Sequence, residues 1–158
     1  MNQDLFTWSD EFSIGLHEID EQHKELVRLL NELHVAIREH HATETCRQIL
    51  DSLADYTRTH FAVEESLMRI TSYPQFEAHR QNHEELIGQV QALQEKLDSG
   101  QAKITFELLH FLKQWLVLHI NEADKRFGDF FLASGGRSHG SDEFQAALQQ
   151  RKPWWKFW

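Results

Sequence analysis

His60 and Glu64 stand four residues apart in the stretch RTHFAVEESLM, and His79 and His83 stand four apart in HRQNH. On an α-helix that spacing puts both members of a pair on one face. His23 in IDEQH, with His119 and Asp124 in LHINEAD, adds three more groups on apolar helical stripes. Imidazole nitrogens and carboxylate oxygens are ligands for metal ions and also the usual acids and bases of enzymes. Buried without strong partners, such groups would cost several kcal/mol each, in sum more than the whole stability of a small bundle. A metal ion is the partner that all of them can share.

The number and kind of donors limit the ions they can serve. One zinc ion takes four ligands and would strand the others. HRQNH also has Arg80 where the HExxH of a zinc protease carries its acid. Two six-coordinate ions offer twelve positions; the imidazoles, two bridging carboxylates and one shared oxygen fill all but one. That last position would take one small ligand. Mixed nitrogen and oxygen donors in octahedral sites make iron the first choice. Ferritin-like di-iron oxidases use more carboxylate and paired Glu-x-x-His motifs, of which this chain has a single match, Glu107 to His110. Fewer anions stabilise high-valent iron less, so the donor set favours reversible ligation over oxygenation.

Four segments must position these groups. Asp20 is expected to cap a helix over 21–40, with Leu26, Val27, Leu30, Leu33 and Ile37 on one side. Thr43 is expected to cap a second over 44–69, ended by TSYP. Pro74 suits the first turn of a third, whose inner stripe runs from Phe76 through His79, His83, Leu86 and Val90 to the stop at Asp98-Ser99-Gly100. The fourth spans 103–132, with Leu109, Leu112, Leu116, Ile120 and Phe127 inward. The fold class is therefore all-α, an up-down-up-down four-helix bundle. An N-terminal arm (Phe6, Trp8, Phe12, Ile14) packs against it after a turn at Gly15. The domain reading is 1–132 for bundle plus arm and 133–158 for a flexible linker and C-terminal tail. Asp124 is awkward: five residues past His119, it lies about 140° around an ideal helix. Either a π-bulge or an approach from the flank would bring it in.

Composition narrows the function classes. A chain of 158 residues is one domain in length, and its formal charge of −9 excludes nucleic acid as a partner. Cys46 is the sole cysteine, so no internal disulfide forms. The N-terminus has neither a basic start nor an apolar run, so the expected location is the cytoplasm. The tail RKPWWKFW, Arg151–Trp158, mixes tryptophan with cations and suits a peripheral place at the inner membrane face or a protein partner, or folding back on the acidic bundle. His34, eleven residues after His23, falls on the same face and is read as structural.

With its motifs in this order, the chain resembles the hemerythrins, specifically the single-domain bacteriohemerythrins. IDEQH (19–23), HFAVEE (60–65), HRQNH (79–83) and WLVLHINEAD (115–124) are similar to the four helix motifs of that family, and the likeness spans residues 5–132. The resemblance implies a cofactor of two Fe ions with a bridging oxo or hydroxo group. It implies that His79, His83 and His119 hold the saturated iron. His23 and His60 would hold the iron with the open position, and Glu64 and Asp124 would bridge the pair. It also implies reversible dioxygen binding for storage or delivery, without turnover, in a dry pocket of Leu26, Trp115 and Leu116. Two further readings stay open. One is a sensor of oxygen, nitric oxide or redox state acting through a partner; the other is a di-iron oxidase or peroxidase.

Overall fold

Apolar residues spaced three and four apart give each long segment a buried stripe, and the stripes meet in one core. The computed structural model describes residues 4–100 and 103–133; the Arg151–Trp158 segment and the rest of the proposed tail beyond Ala133 lie outside them. The helices are α1 (His17–Arg38), α2 (Thr43–Ile70), α3 (Phe76–Asp98) and α4 (Phe106–Leu118). A π-helical turn, His119–Asp124, carries α4 directly into α5 (Lys125–Ala133). α1 packs on α2 and on α4, and α2 packs on α3, so the four rods enclose a common axis. No strand occurs among the described residues, and none of their helices is long and apolar enough to cross a membrane.

All four helix starts differ from the pattern-based expectation, the fourth helix beginning at Phe106 instead of 103. α1 begins at His17, one turn before the residue expected to cap it, because Gly15 (φ +84°) reverses the chain and lets Leu16 enter the core. Asp20 is thus inside the helix. Its carboxylate instead accepts hydrogen bonds from the Ser13 hydroxyl and, at 2.9 Å, from the Ile14 N–H, tying the arm to the first turn. Thr43 is the first residue of α2 rather than its cap, and Pro74 sits in the turn before α3. The start of α4 does have a side-chain cap, since Thr105 Oγ1 accepts from the Leu108 N–H.

The arm is part of the core. Phe6 and Ile14 are buried, and the Asn31 side chain pairs with both the N–H and the C=O of Phe6, at 3.0 and 2.8 Å. Gly128 of α5 allows the arm to lie flush, because a Cβ there would stand 2.1 Å from the Ile14 carbonyl oxygen. Gly128→Ala is therefore expected to cost about 3 kcal/mol through backbone displacement. Gly88→Ala, where a Cβ meets nothing within 4 Å, is expected to gain up to about 1 kcal/mol from helix propensity. Thermal midpoints of the two variants check the pair, and equal midpoints would refute the close packing of arm on α5.

Candidate metal centre

All seven sequence-derived polar residues are buried, from Glu64, Asp124 and His23 at 0% exposure to His119 at 7%. They meet at one level of the bundle in two groups that share both carboxylates. One group is His79, His83 and His119 with Glu64 and Asp124; the other is His23 and His60 with the same two acids. Within each group the candidate ligand atoms lie within 4.8 Å of one another.

The carboxylates divide their oxygens between the groups. Glu64 turns Oε2 to His60 Nε2 at 2.7 Å and Oε1 to His79 Nε2 at 3.4 Å. Asp124 turns Oδ2 to His23 Nε2 at 2.9 Å, and Oδ1 to His79 and His119, each at 3.1 Å. The imidazoles also face one another: His23 and His60 approach through Nε2 at 3.1 Å, as do His83 and His119. Nitrogens held about 2.1 Å from one ion and at right angles stand about 3 Å apart, so these spacings suit ligands of a common ion. These close approaches lack hydrogen-bond geometry at the acids. Both oxygens of Glu64 and of Asp124, and Nε2 of His79, are buried with no hydrogen-bond partner. Such groups are costly unless a cation completes them, and the donor set fits two ions bridged by two carboxylates.

The π turn answers the register problem of Asp124. Its hydrogen bonds skip five residues instead of four, which brings His119 and Asp124 onto one face. The route from the flank is not used. Aromatic rings then hold the imidazoles in place: Phe61 stacks on His83 at 3.7 Å and 4°, and Trp115 on His119 at 4.9 Å and 13°.

The chain's own electrostatics separate the histidines. Burial lowers His60 below the ordinary imidazole range, against the pull of Glu64. Burial and the neighbouring His119 and His79 push His83 far down. Both are thus neutral, the form that ligates. Burial also opposes charge on His79, but Asp124 and Glu64 outweigh it and raise that ring to about 9. His119 is raised against its burial chiefly by Asp124. Asp124 is held well below the usual carboxylate range, the surrounding imidazoles overcoming its desolvation.

Two supporting residues escaped the sequence reading. Gln22 is buried, and its Oε1 accepts from His60 Nδ1 at 2.7 Å, which leaves Nε2 of His60 free to ligate. Its signal was available, because Gln22 falls on the Ile19–Leu26–Leu33 stripe where an apolar residue belongs. Glu65 Oε2 lies 3.4 Å from His83 Nδ1, and nothing in its spacing distinguishes it from a solvated acid. Leu26 and Leu116 are buried and Trp115 is half-buried; all three line one cavity. His34 is half-buried beside Phe106 of α4, with ring centroids 6.1 Å apart.

A four-helix bundle carrying a histidine-rich, twin-carboxylate site for two ions defines a class, the non-haem di-metal proteins. The model of the Hemerythrin HHE cation binding domain matches residues 14–130. The chain belongs to the hemerythrin family, whose cofactor is a di-iron centre held by histidines and carboxylates. It is 36% identical over 125 residues to a bacteriohemerythrin of Stenotrophomonas maltophilia, covering 79% of this chain and 80% of that one. A bacteriohemerythrin of Methylococcus capsulatus (strain Bath) is also 36% identical, with 78% and 95% covered. Among solved structures, wild-type hemerythrin superposes with a TM-score of 0.76 at 34% identity, covering 79% of this chain and 96% of that one.

Proposed function

We propose that this protein binds dioxygen reversibly at a di-iron centre, for storage or delivery and without enzymatic turnover. The observation that carries the reading is the division of Glu64 and Asp124, each offering one unpartnered oxygen to each histidine group. His79, His83 and His119 would hold one iron, and His23 and His60 the other. Glu64 and Asp124 would bridge them together with an oxo or hydroxo group. When bound, the pair supplies two one-electron couples and, on the side with only two imidazoles, a coordination position for a diatomic ligand.

The chain's own residues do the remaining work. Three histidines saturate one side, while the pair on the other leaves room for a ligand of two atoms. Gln22 keeps the His60 proton on Nδ1. Leu26, Trp115 and Leu116 wall the neighbouring space with carbon, which would keep water away from the site. Carriage is favoured over turnover because that space has no acid or base in its wall.

The test is an optical spectrum of the anaerobically reduced, iron-loaded protein before and after air. An oxygen-induced band that vanishes on purging, at one dioxygen per two irons, is the expected result. Continuous oxygen consumption with a reductant, and no reversible band, would replace this reading with an oxidase.

A further inference from the structure

Helix α4 is apolar on two faces. Leu109, Leu112 and Leu116 are buried in the core, as the bundle requires. Leu108, Phe111, Trp115 and Leu118 form a second seam, with steps of three, four and three residues, the spacing by which a helix packs along another apolar element. That seam lies about 110° around the helix from the core stripe and looks outward. Phe111 is 47% and Leu118 57% exposed, and Leu108 and Trp115 are half-buried. A helix apolar over this much of its circumference is ordinarily covered, and a contiguous exposed apolar patch marks an interaction surface.

Two carboxylates bracket the seam. Glu107 stands four residues before Phe111, and Glu122 four after Leu118; both are exposed, and neither forms an ion pair among the described residues. Lys113, the other charged residue of α4, lies about 160° around the helix from Phe111. These acids limit what can cover the seam. A second copy laid antiparallel, Phe111 against Leu118, would set Glu107 of each chain against Glu122 of the other, in addition to a charge of −9 on each. An anionic lipid surface is repelled by the same acids. A short aromatic and cationic segment fits, and the sequence holds one: Arg151–Trp158, RKPWWKFW, has four aromatics, three cations and no acid.

Its attachment allows the contact. The chain from Ala133, where α5 ends, to Arg151 spans up to about 60 Å. Glu107 lies only about 40 Å back along α5, the π turn and α4. Eight extended residues cover about 25 Å, close to the roughly 22 Å between Glu107 and Glu122. Tethering also holds such a segment at an effective concentration of about millimolar.

We propose that Arg151–Trp158, outside the described residues, docks along α4 of its own chain, with its tryptophans on Phe111 and Leu118 and its cations on Glu107 and Glu122. Docking of this kind does not depend on what the metal centre binds.

The test uses a mixture of nitrogen-15-labelled and unlabelled full-length, iron-loaded protein, treated with a carbodiimide that joins lysines directly to carboxylates. Mass spectrometry is expected to find Lys152 or Lys156 joined to Glu107 or Glu122 within one chain. The yield is expected to fall at least fivefold in Phe111→Ser with Leu118→Ser, and equally in Trp154→Ser with Trp155→Ser. The second pair lies outside the bundle and decides the matter should the first fail to fold. No such links in the native protein, or an undiminished yield in a folded variant, overturns the docking. Links that join only labelled to unlabelled chains overturn it in favour of a second copy. With vesicles containing phosphatidylglycerol present, the links are expected to persist. Their loss, with the protein sedimenting on the vesicles, assigns the segment to a bilayer and overturns its place on α4.

Discussion

Glu64→Ala protein is expected to purify folded but with less than one iron per chain, and to show no oxygen-induced absorption. Among the described residues, Glu64 is one of two shared by both histidine groups. On the proposed assignment, its loss would remove an oxygen donor from each ion and one of the two negative charges facing a pair of buried dications. Glu64→Gln keeps the volume but not the charge, and is expected to lose iron as well. Glu65→Ala is the control, because Glu65 reaches only the remote nitrogen of His83, at 3.4 Å. Outer partners of metal-bound histidines are worth about 10–100-fold in affinity, so that variant should keep most of its iron when iron is in excess. The metal-free forms give the converse result. Above about pH 9, where His79 has given up its proton, a buried carboxylate without a partner is a burden to the fold, so there metal-free Glu64→Gln should melt no lower than metal-free wild type. Two irons per chain in Glu64→Ala, measured by elemental analysis, would refute the bridging assignment.

Stripping the metal is expected to lower the thermal midpoint by about 10–15 °C near neutral pH. An ion present at about a thousand times its Kd adds about 4 kcal/mol, and a chain of this size loses about 2–4 °C per kcal/mol. The deficit should widen as pH rises. In the metal-free chain the protonated His79 partly replaces the ions as partner to Asp124 and Glu64, and its pKa is raised to about 9. A raised folded-state pKa contributes stability that is complete below about 6.5, the unfolded value, and is lost as pH climbs through about 9. Uptake of iron or zinc must expel that proton, so apparent affinity should strengthen over the same window. Calorimetric scans of loaded and stripped protein at pH 6 and 9 check the sign. A deficit that narrows with pH would show that His79 does not partner the acids.

Much of the centre can be read without coordinates because the α-helix turns sequence distance into direction. His60 with Glu64, and His79 with His83, are placed by a repeat of about 3.6 residues that depends only on local hydrogen bonding. The stripes of Leu26, Leu30 and Leu33 on α1, and of Leu86 and Val90 on α3, follow from the same repeat. So do the bundle class and the inward aim of the polar residues. Helix starts were less legible. Asp20 and Thr43 have the right chemistry for caps, but the core contact of Leu16 and the turn at Gly15 move α1 one turn upstream.

What only the tertiary structure decided concerns distances between segments and departures from the ideal helix. The π turn at His119–Asp124 inserts one residue into the hydrogen-bond ladder. The five-residue step from His119 to Asp124 allowed such a turn and an approach from the flank alike, and only the three-dimensional structure distinguishes them. The split of carboxylate oxygens between histidine groups, the Gln22 support behind His60, and the close fit of Ile14 on Gly128 arise the same way. So does the apolar cavity, which takes its lining from α1, α2, α3 and α4 together. Periodicity along one helix is a short-range property written in its own residues. Register between helices is a long-range sum over all of them, and no single stretch contains it.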